Sequence, residues 1–324
     1  MLSRHFLRSK VLQAVYAATI NESVDVVLSE KNFSNTIRRF NDLGIMQLAV
    51  LLEFREVAEQ IVNSSMQKFM PTEAERNPNR KLLNNRFLVA MNDNFDLKVH
   101  LKNVPVSWSG FADVLRMLYV SLKSSDLYAD YLADESTDFE REKQFVLQLF
   151  KFIMNDSALR SCVCEYNMFW DDDFDQIAQY NYMMLKAIKE DEFDESMPWM
   201  LMFDNRESKD LDDYTFARDL LMHTLRNRQN NDELIKNHLH NWDFERVALM
   251  DILIINMAIC EFVEFPSIPE RVTVDEYIEL SKEFSTDKSK LFVNGILDRI
   301  LLALRSAGKI NKQGRGLLDI SICD

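Results

Sequence analysis

Apolar residues recur every three to four positions along most of this chain, the spacing that places them on one face of an α-helix. The first such run covers residues 6 to 20, and Ser3 stands where an N-cap residue is expected. The same spacing predicts one or two helices over 33–70 and further helices over 82–95, 107–132 and 138–155. Proline-containing breaks at 71–80 and 103–105 predict loops between them.

The last third of the chain has the clearest predicted boundaries, beginning after a polar linker at 204–213. Capping and breaking residues predict four helices there. The first begins at Asp212 or Asp213 and stops at Asn230-Asn231-Asp232, and the second is an apolar helix, Phe244–Phe265, capped by Asp243. The third opens on a capping box from Thr273 to Glu276, and the last ends at Gly308. A short helix from Asp232 through His238 is expected between the first two.

Composition supports a helical protein throughout. The 324 residues include only 6 glycines and 6 prolines, too few for the many turns of a strand-rich fold. The longest apolar run, residues 247–265, contains Asp251 and Glu261, so it predicts a buried helix and not a membrane span. The chain opens without a signal-peptide pattern, and its four cysteines show no zinc-like spacing. We therefore expect a cytoplasmic all-α protein with reduced thiols, and its length suggests two domains.

Charge is distributed unevenly along the chain. The net charge is -14, and residues 130–213 carry 22 Asp or Glu against 8 Lys or Arg. Residues 1–20 contain Arg4, Arg8 and Lys10 and no acid. Residues 285–317 are basic as well, with seven cations against two acids. Basic ends around an acidic middle leave room for nucleic-acid contact in spite of the net charge.

Several segments match a known family in order. The run IPERVTVDEYIELSKEFSTDKSKLFVNGILDRI, residues 268–300, resembles the C-terminal signature of the NusB family. Upstream, FARDLL at 216–221 and ALMDILIINMAICEFVEFPSIP at 248–269 resemble two further helices of that family. RSKVLQAVY at 8–16 resembles its first helix. The resemblance implies two small helical bundles with a large helical insertion, since family members are commonly much shorter.

The resemblance divides the chain into four expected parts. Residues 1–20 would be the basic first helix, 21–210 an acidic helical insertion of unknown role, 211–310 the C-terminal core, and 311–324 a tail. Family members bind the boxA element of ribosomal RNA transcripts together with NusE, a small-subunit ribosomal protein, and act with RNA polymerase in antitermination. The resemblance implies the same function for this chain, with no cofactor.

Site residues follow from the resemblance, one position at a time. RNA contact is expected at Arg4, Arg8, Lys10, Phe284, Lys288, Lys290, Phe292 and Asn294, and contact with the partner at Tyr16. These residue types suit the task, because aromatic rings stack on unpaired bases while lysine and arginine hold phosphate. The first helix carries fewer arginines than is usual in the family, and Lys288 stands where an acid is common.

One alternative function remains open, and the residues present disfavour an enzyme or a metal-binding protein. The alternative is a non-enzymatic helical scaffold that binds proteins and has lost RNA binding. The methyltransferases with a NusB-like domain continue into a Rossmann-like domain, for which no Gly-rich loop is present. An acidic turn at 171–175 lacks the glycine and distal glutamate of a calcium loop, and His238 and His240 are poorly spaced as joint ligands. We therefore predict no enzyme and no metal site.

Overall fold

A computed structural model describes residues 3–21, 25–103, 108–136, 138–192, 208–239 and 243–318. The chain divides into two compact units, which we call the middle unit (Ile37–Asp204) and the terminal unit (Leu2–Thr36 with Asn205–Asp324). The described residues form α-helices and short 3-10 turns and contain no strand, so the predicted all-α class is confirmed. No helix among them is long and apolar enough to cross a membrane.

The terminal unit packs five helices together. They are α1 (Arg4–Ile20), α11 (Ser208–His238), α12 (Leu249–Glu264), α13 (Glu270–Phe284) and α14 (Ser289–Ser306), and a 3-10 turn (Gly314–Leu317) follows them. The apolar helix α12 lies at the centre, in contact with the other four, and most of its side chains are buried. The predicted caps at both ends of this set are confirmed: Ser3 accepts from the amide of Phe6, and Gly308 adopts φ +65° after α14.

The middle unit holds the remaining helices. They are the rest of α2 (Val26–Met66, whose first residues lie in the terminal unit), α3 (Glu73–Arg76), α4 (Arg86–Asp93), α5 (Phe95–Asn103), α6 (Ala112–Lys123), α7 (Asp126–Ala133), α8 (Phe139–Met154), α9 (Ser157–Tyr166) and α10 (Phe174–Ala187). Helix α8 packs against α4, α9 and α10 and supplies much of the core of this unit. The helix predicted over 107–132 is divided, because the Ser125 hydroxyl accepts from the Tyr128 amide and starts α7 anew.

Helix α11 corrects two sequence predictions. It continues through Asn230-Asn231-Asp232, where a stop was expected, and it begins at Ser208, inside the expected linker. The polar side chains form hydrogen bonds from α11 to α12: Asn231 donates to the Cys260 sulfur (3.3 Å), and Asp232 accepts from Asn256 (2.7 Å). They therefore do not compete for the backbone of their own helix. Residues 204–207 of the expected linker lie outside the described residues.

The starts of α12 and α13 also differ from expectation. Asp243 accepts from the Glu245 amide and caps a 3-10 turn, so α12 begins at Leu249 and not at Phe244. Helix α13 begins at Glu270, which places Thr273 within its first turn instead of at a capping box. The Thr273 hydroxyl donates to the Glu261 carboxylate at 2.9 Å. A buried partner on α12 has replaced the local cap.

Candidate nucleic-acid interface

The turn between α13 and α14 is held by one serine. The Ser289 hydroxyl lies 2.9 Å from the hydroxyls of both Ser285 and Thr286, and it donates to Asp251 Oδ2 at 3.0 Å. This connects the first turn of α14 to the first turn of α12. Lys288 is the residue just before α14 and adjoins this hydrogen-bonded turn.

One stripe of α14 lines a cleft of about 640 Å³. Lys288, Phe292, Gly295 and Arg299 follow one another at steps of four, three and four residues, which keeps them on the same helix face. Leu291, which is 74% exposed, lies beside them. The opposite wall comes from the start of α12 and the turn before it, with Arg246, Val247, Ala248 and Asp251.

The cleft is basic. Its lining has three cations, Arg246, Lys288 and Arg299, against the single carboxylate of Asp251. Arg299 donates to the His238 carbonyl at 3.2 Å, while Arg246 and Lys288 are exposed and form no ion pair within the described part of the chain. The dipole of α14 adds partial positive charge at the same end. Cations beside an aromatic ring form a surface suited to single-stranded nucleic acid.

Asp251 is the single carboxylate of the cleft lining. The residue is only 5% exposed, and its Oδ1 is buried with no hydrogen-bond partner among the described residues. Its Oδ2 accepts from Ser289, so the side chain holds the start of α14 against α12 and presents no acceptor to a ligand.

Arg8 lies in the core of the terminal unit and not on its surface. Its guanidinium is 2% exposed and forms a two-pronged pair with Glu261, with both distances 2.8 Å, and a further contact of 3.2 Å to Glu276. Tyr277 donates to the same Glu261 carboxylate at 3.2 Å. Burial is the largest single effect on the pKa of Arg8 and lowers it, but the charge and hydrogen bond of Glu261 together with the charges of Tyr277 and Glu276 raise the pKa above its ordinary value. We therefore propose no phosphate contact for Arg8.

The other predicted cations of α1 are also engaged. Lys10 is 6% exposed, and its Nζ donates to Gln13 at 3.2 Å, so we do not assign it to phosphate either. Arg4 is half exposed, lies over the Phe216 ring and contacts Asp213 at 3.5 Å. The basic first helix expected from sequence therefore presents little unpaired charge.

His5 connects α1 to α13 through two carboxylates. Its ring nitrogens lie 2.9 Å from Glu276 and 2.9 Å from Glu283. The hydrogen bond to Glu276 is the main reason that the pKa of His5 rises from 6.5 to about 9, against the opposing effect of burial. The same hydrogen bond lowers the pKa of Glu276. Both ring nitrogens can donate only when the imidazole is protonated.

This geometry predicts a pH dependence of stability. A group whose pKa is raised by folding stabilises the protein fully below its unfolded pKa and loses that effect as the pH rises through its folded pKa. For His5 this window runs from about 6.5 to about 9. The urea midpoint should therefore fall across that window in the unmodified chain and fall less in His5→Asn. Parallel curves for the two proteins would show that His5 does not contribute.

The remaining predicted residues lie around the cleft or apart from it. Lys288 and Phe292 line it, whereas Lys290, exposed in the first turn of α14, and the half-buried Phe284 and Asn294 do not. Tyr16 lies on α1 with 41% exposure, one turn from Ile20 at 54%. Arg246, Asp251 and Arg299 were not among the predicted site residues. Only Arg299 had a sequence signal, its place in the basic 285–317 segment, since tertiary packing brings the other two to α14.

The described residues contain no group of three histidine, cysteine, aspartate or glutamate side chains arranged to hold a metal ion. In the acidic turn at 171–175, Asp171 and Asp175 instead pair with Arg160 at 3.0 and 2.9 Å. His240, half of the other weighed pair, lies outside the described residues.

Part of the chain is similar to known proteins. The NusB family model matches residues 175–302. The chain is 44% identical over 103 residues to the transcription antitermination protein NusB of Salinibacter ruber, a match that covers 32% of this chain and 64% of that protein. It is 38% identical over 105 residues to the protein of the same name from Chloroherpeton thalassium, a match that covers 32% of this chain and 50% of that protein. It is 34% identical over 121 residues to the protein of the same name from Natranaerobius thermophilus, covering 37% of this chain and 87% of that protein. The chain thus spans less than two thirds of the first two relatives and most of the third.

Proposed function

Because the chain belongs to the NusB family, we propose that it is a transcription antitermination factor that binds boxA-like RNA together with NusE and joins an RNA polymerase antitermination complex. The observation that carries this proposal is the basic, aromatic-lined cleft at the start of α14. It lies within the motif that the family model matches, since residues 288–299 fall inside 175–302.

Within the cleft we assign roles by chemistry. Lys288, Arg246 and Arg299 hold phosphates, because exposed cations without carboxylate partners release counterions when they bind RNA. Phe292 stacks on an unpaired base. Lys290, at the positive end of α14, adds to the phosphate contacts.

Other predicted residues keep secondary roles in the proposal. Phe284 is the last residue of α13, and Asn294 lies in α14. Both are assigned to the rim of the proposed RNA surface. Arg4 is the α1 cation with the largest exposure available to phosphate, 43% of its side chain. Tyr16, with the exposed Ile20, is assigned to the NusE contact. Residues 1–20 and 211–310 are proposed as the family core, with the acidic insertion between them.

A second candidate function follows from the burial of Arg8 and Lys10. Of the three cations predicted to contact RNA on α1, only Arg4 is exposed, and it lies beside Asp213. The helix therefore has less cationic surface than its sequence suggested. The alternative is a protein-binding scaffold of the same fold that does not bind RNA. The two candidates differ in one measurable property, the affinity for RNA.

The test is a titration of labelled boxA-like RNA with the full chain, with and without NusE, at about 50 and 200 mM salt. We expect binding that NusE strengthens and that weakens strongly at the higher salt, because phosphate contacts release counterions. An RNA of the same length without the boxA sequence is the control and should bind more weakly. No salt-dependent binding under any condition would favour the scaffold.

A further inference from the structure

The middle unit has a groove of about 410 Å³ between α7 and α8. Both helices contribute to its lining, which includes Leu127, Asp130, Tyr131, Gln144, Phe145 and Gln148. A volume of this order is within the range of roughly 300–1,000 Å³ that is usual for binding pockets. All the helices that form it belong to the middle unit, so the groove is separate from the basic cleft.

The floor of the groove is apolar and fixed in place. The rings of Tyr131 and Phe145 are stacked with their centroids 3.6 Å apart. The Tyr131 hydroxyl accepts from Asn85 at 3.2 Å and donates to the Lys81 carbonyl at 3.3 Å, and the Lys81 ammonium lies over the ring, 4.4 Å from its centroid, so several contacts fix the ring. A preformed apolar floor lowers the cost of ordering the site when an apolar side chain enters.

The rim of the groove is acidic. Asp130 is exposed and has no ion pair among the described residues, while Asp134 and Glu140 contact Arg141 and Lys143 at 2.9 and 2.8 Å. The groove lining itself carries three carboxylates, Asp130, Asp134 and Glu140, and one cation, Arg141. This negative field repels nucleic-acid phosphate and attracts cationic partners.

We propose that the α7–α8 groove is a docking site for a basic, amphipathic segment of a partner protein. An apolar side chain of the segment lies on the Tyr131–Phe145 floor, and a lysine or arginine of the segment pairs with Asp130. The exposed amides of Gln144 and Gln148 bond the polar edge of the segment. Charge complementarity selects this occupant, and the proposal does not depend on RNA binding by the terminal unit.

The probe is a labelled 16-residue synthetic helix with lysine on one face and leucine on the other, titrated into the full chain and followed by fluorescence anisotropy. Gln144→Arg places a like charge at the groove, and Gln179→Arg makes the same change at an exposed position of α10. We expect roughly a tenfold or greater loss of affinity for the first variant and little loss for the second. Asp130→Asn and Asp172→Asn form a second matched pair, with the loss expected only at Asp130.

A second peptide, with every leucine replaced by serine, separates docking from simple charge attraction. It should bind at least tenfold more weakly, because the floor of the groove is apolar. Equal affinity of the two peptides, or equal loss in Gln144→Arg and Gln179→Arg, would overturn the proposal. Concentration-dependent self-association that Gln144→Arg abolishes would also overturn it, since the occupant would then be a second copy of the chain.

Discussion

Replacing Arg8 with alanine is expected to lower the free energy of unfolding of the terminal unit by about 3–5 kcal/mol. The substitution would leave the Glu261 carboxylate, which is fully buried, without the guanidinium that approaches it at 2.8 Å on two atoms. Removing one partner of a buried pair costs more than the pair contributes, because the other charge remains in a medium that solvates it poorly. Urea unfolding followed by circular dichroism measures the effect.

Two variants make the Arg8 result specific. Arg8→Lys keeps the charge but not the planar fork, so it should lose less than alanine and still fold. Arg4→Ala removes a guanidinium from the same helix that is 43% exposed, and should change stability by no more than about 1 kcal/mol. If Arg8→Ala were as mild as Arg4→Ala, the Glu261 cluster would not stabilise the terminal unit as described.

The double substitution Lys288→Glu with Arg299→Glu is expected to weaken RNA binding by roughly ten- to a hundredfold at about 0.15 M salt. Both side chains line the basic cleft, so the change removes two cations and adds two carboxylates where phosphate is proposed to bind. The slope of log affinity against log salt should fall by about 0.7 for each lost contact to single-stranded RNA. Anisotropy titrations over a series of salt concentrations give both values.

The controls use charge changes of the same size at other positions. Arg116→Glu with Lys123→Glu alters two exposed cations of α6 in the middle unit and should leave RNA affinity nearly unchanged. Lys290→Glu, on the first turn of α14 but outside the cleft lining, should cause a smaller loss than either cleft residue. Equal losses in the cleft and α6 variants would mean that net charge, and not the cleft, governs affinity.

Arg8 and the cations of the cleft have opposite roles in this chain, and the reason is burial. Arg8 and Lys288 both belong to segments that resemble the family and looked alike in sequence as phosphate ligands. In the fold, one is 2% exposed against Glu261, and the other is exposed at the edge of a cleft. A basic residue in an amphipathic helix can serve either purpose, so its neighbours in space decide which.

The sequence alone was sufficient for several features. Few glycines and prolines together with helical spacing predicted the all-α class, and local chemistry placed the caps at Ser3 and Gly308. The run from Ile268 to Ile300 identified the family and pointed to Lys288 and Phe292. These features depend on residues close together in the chain, where spacing and backbone preference act directly.

Tertiary structure decided the rest, because each remaining feature depends on partners distant in sequence. Asn231 and Asp232 looked like a helix stop, yet contacts with Cys260 and Asn256 keep them within α11. Packing of α12 against α14 brings Arg246 and Asp251 into the cleft, about 40 residues from Lys288. Packing of α1 against α12 places Arg8 on Glu261, 253 positions away. Burial and charge pairing are properties of the packed helices, and no spacing along a single segment encodes them.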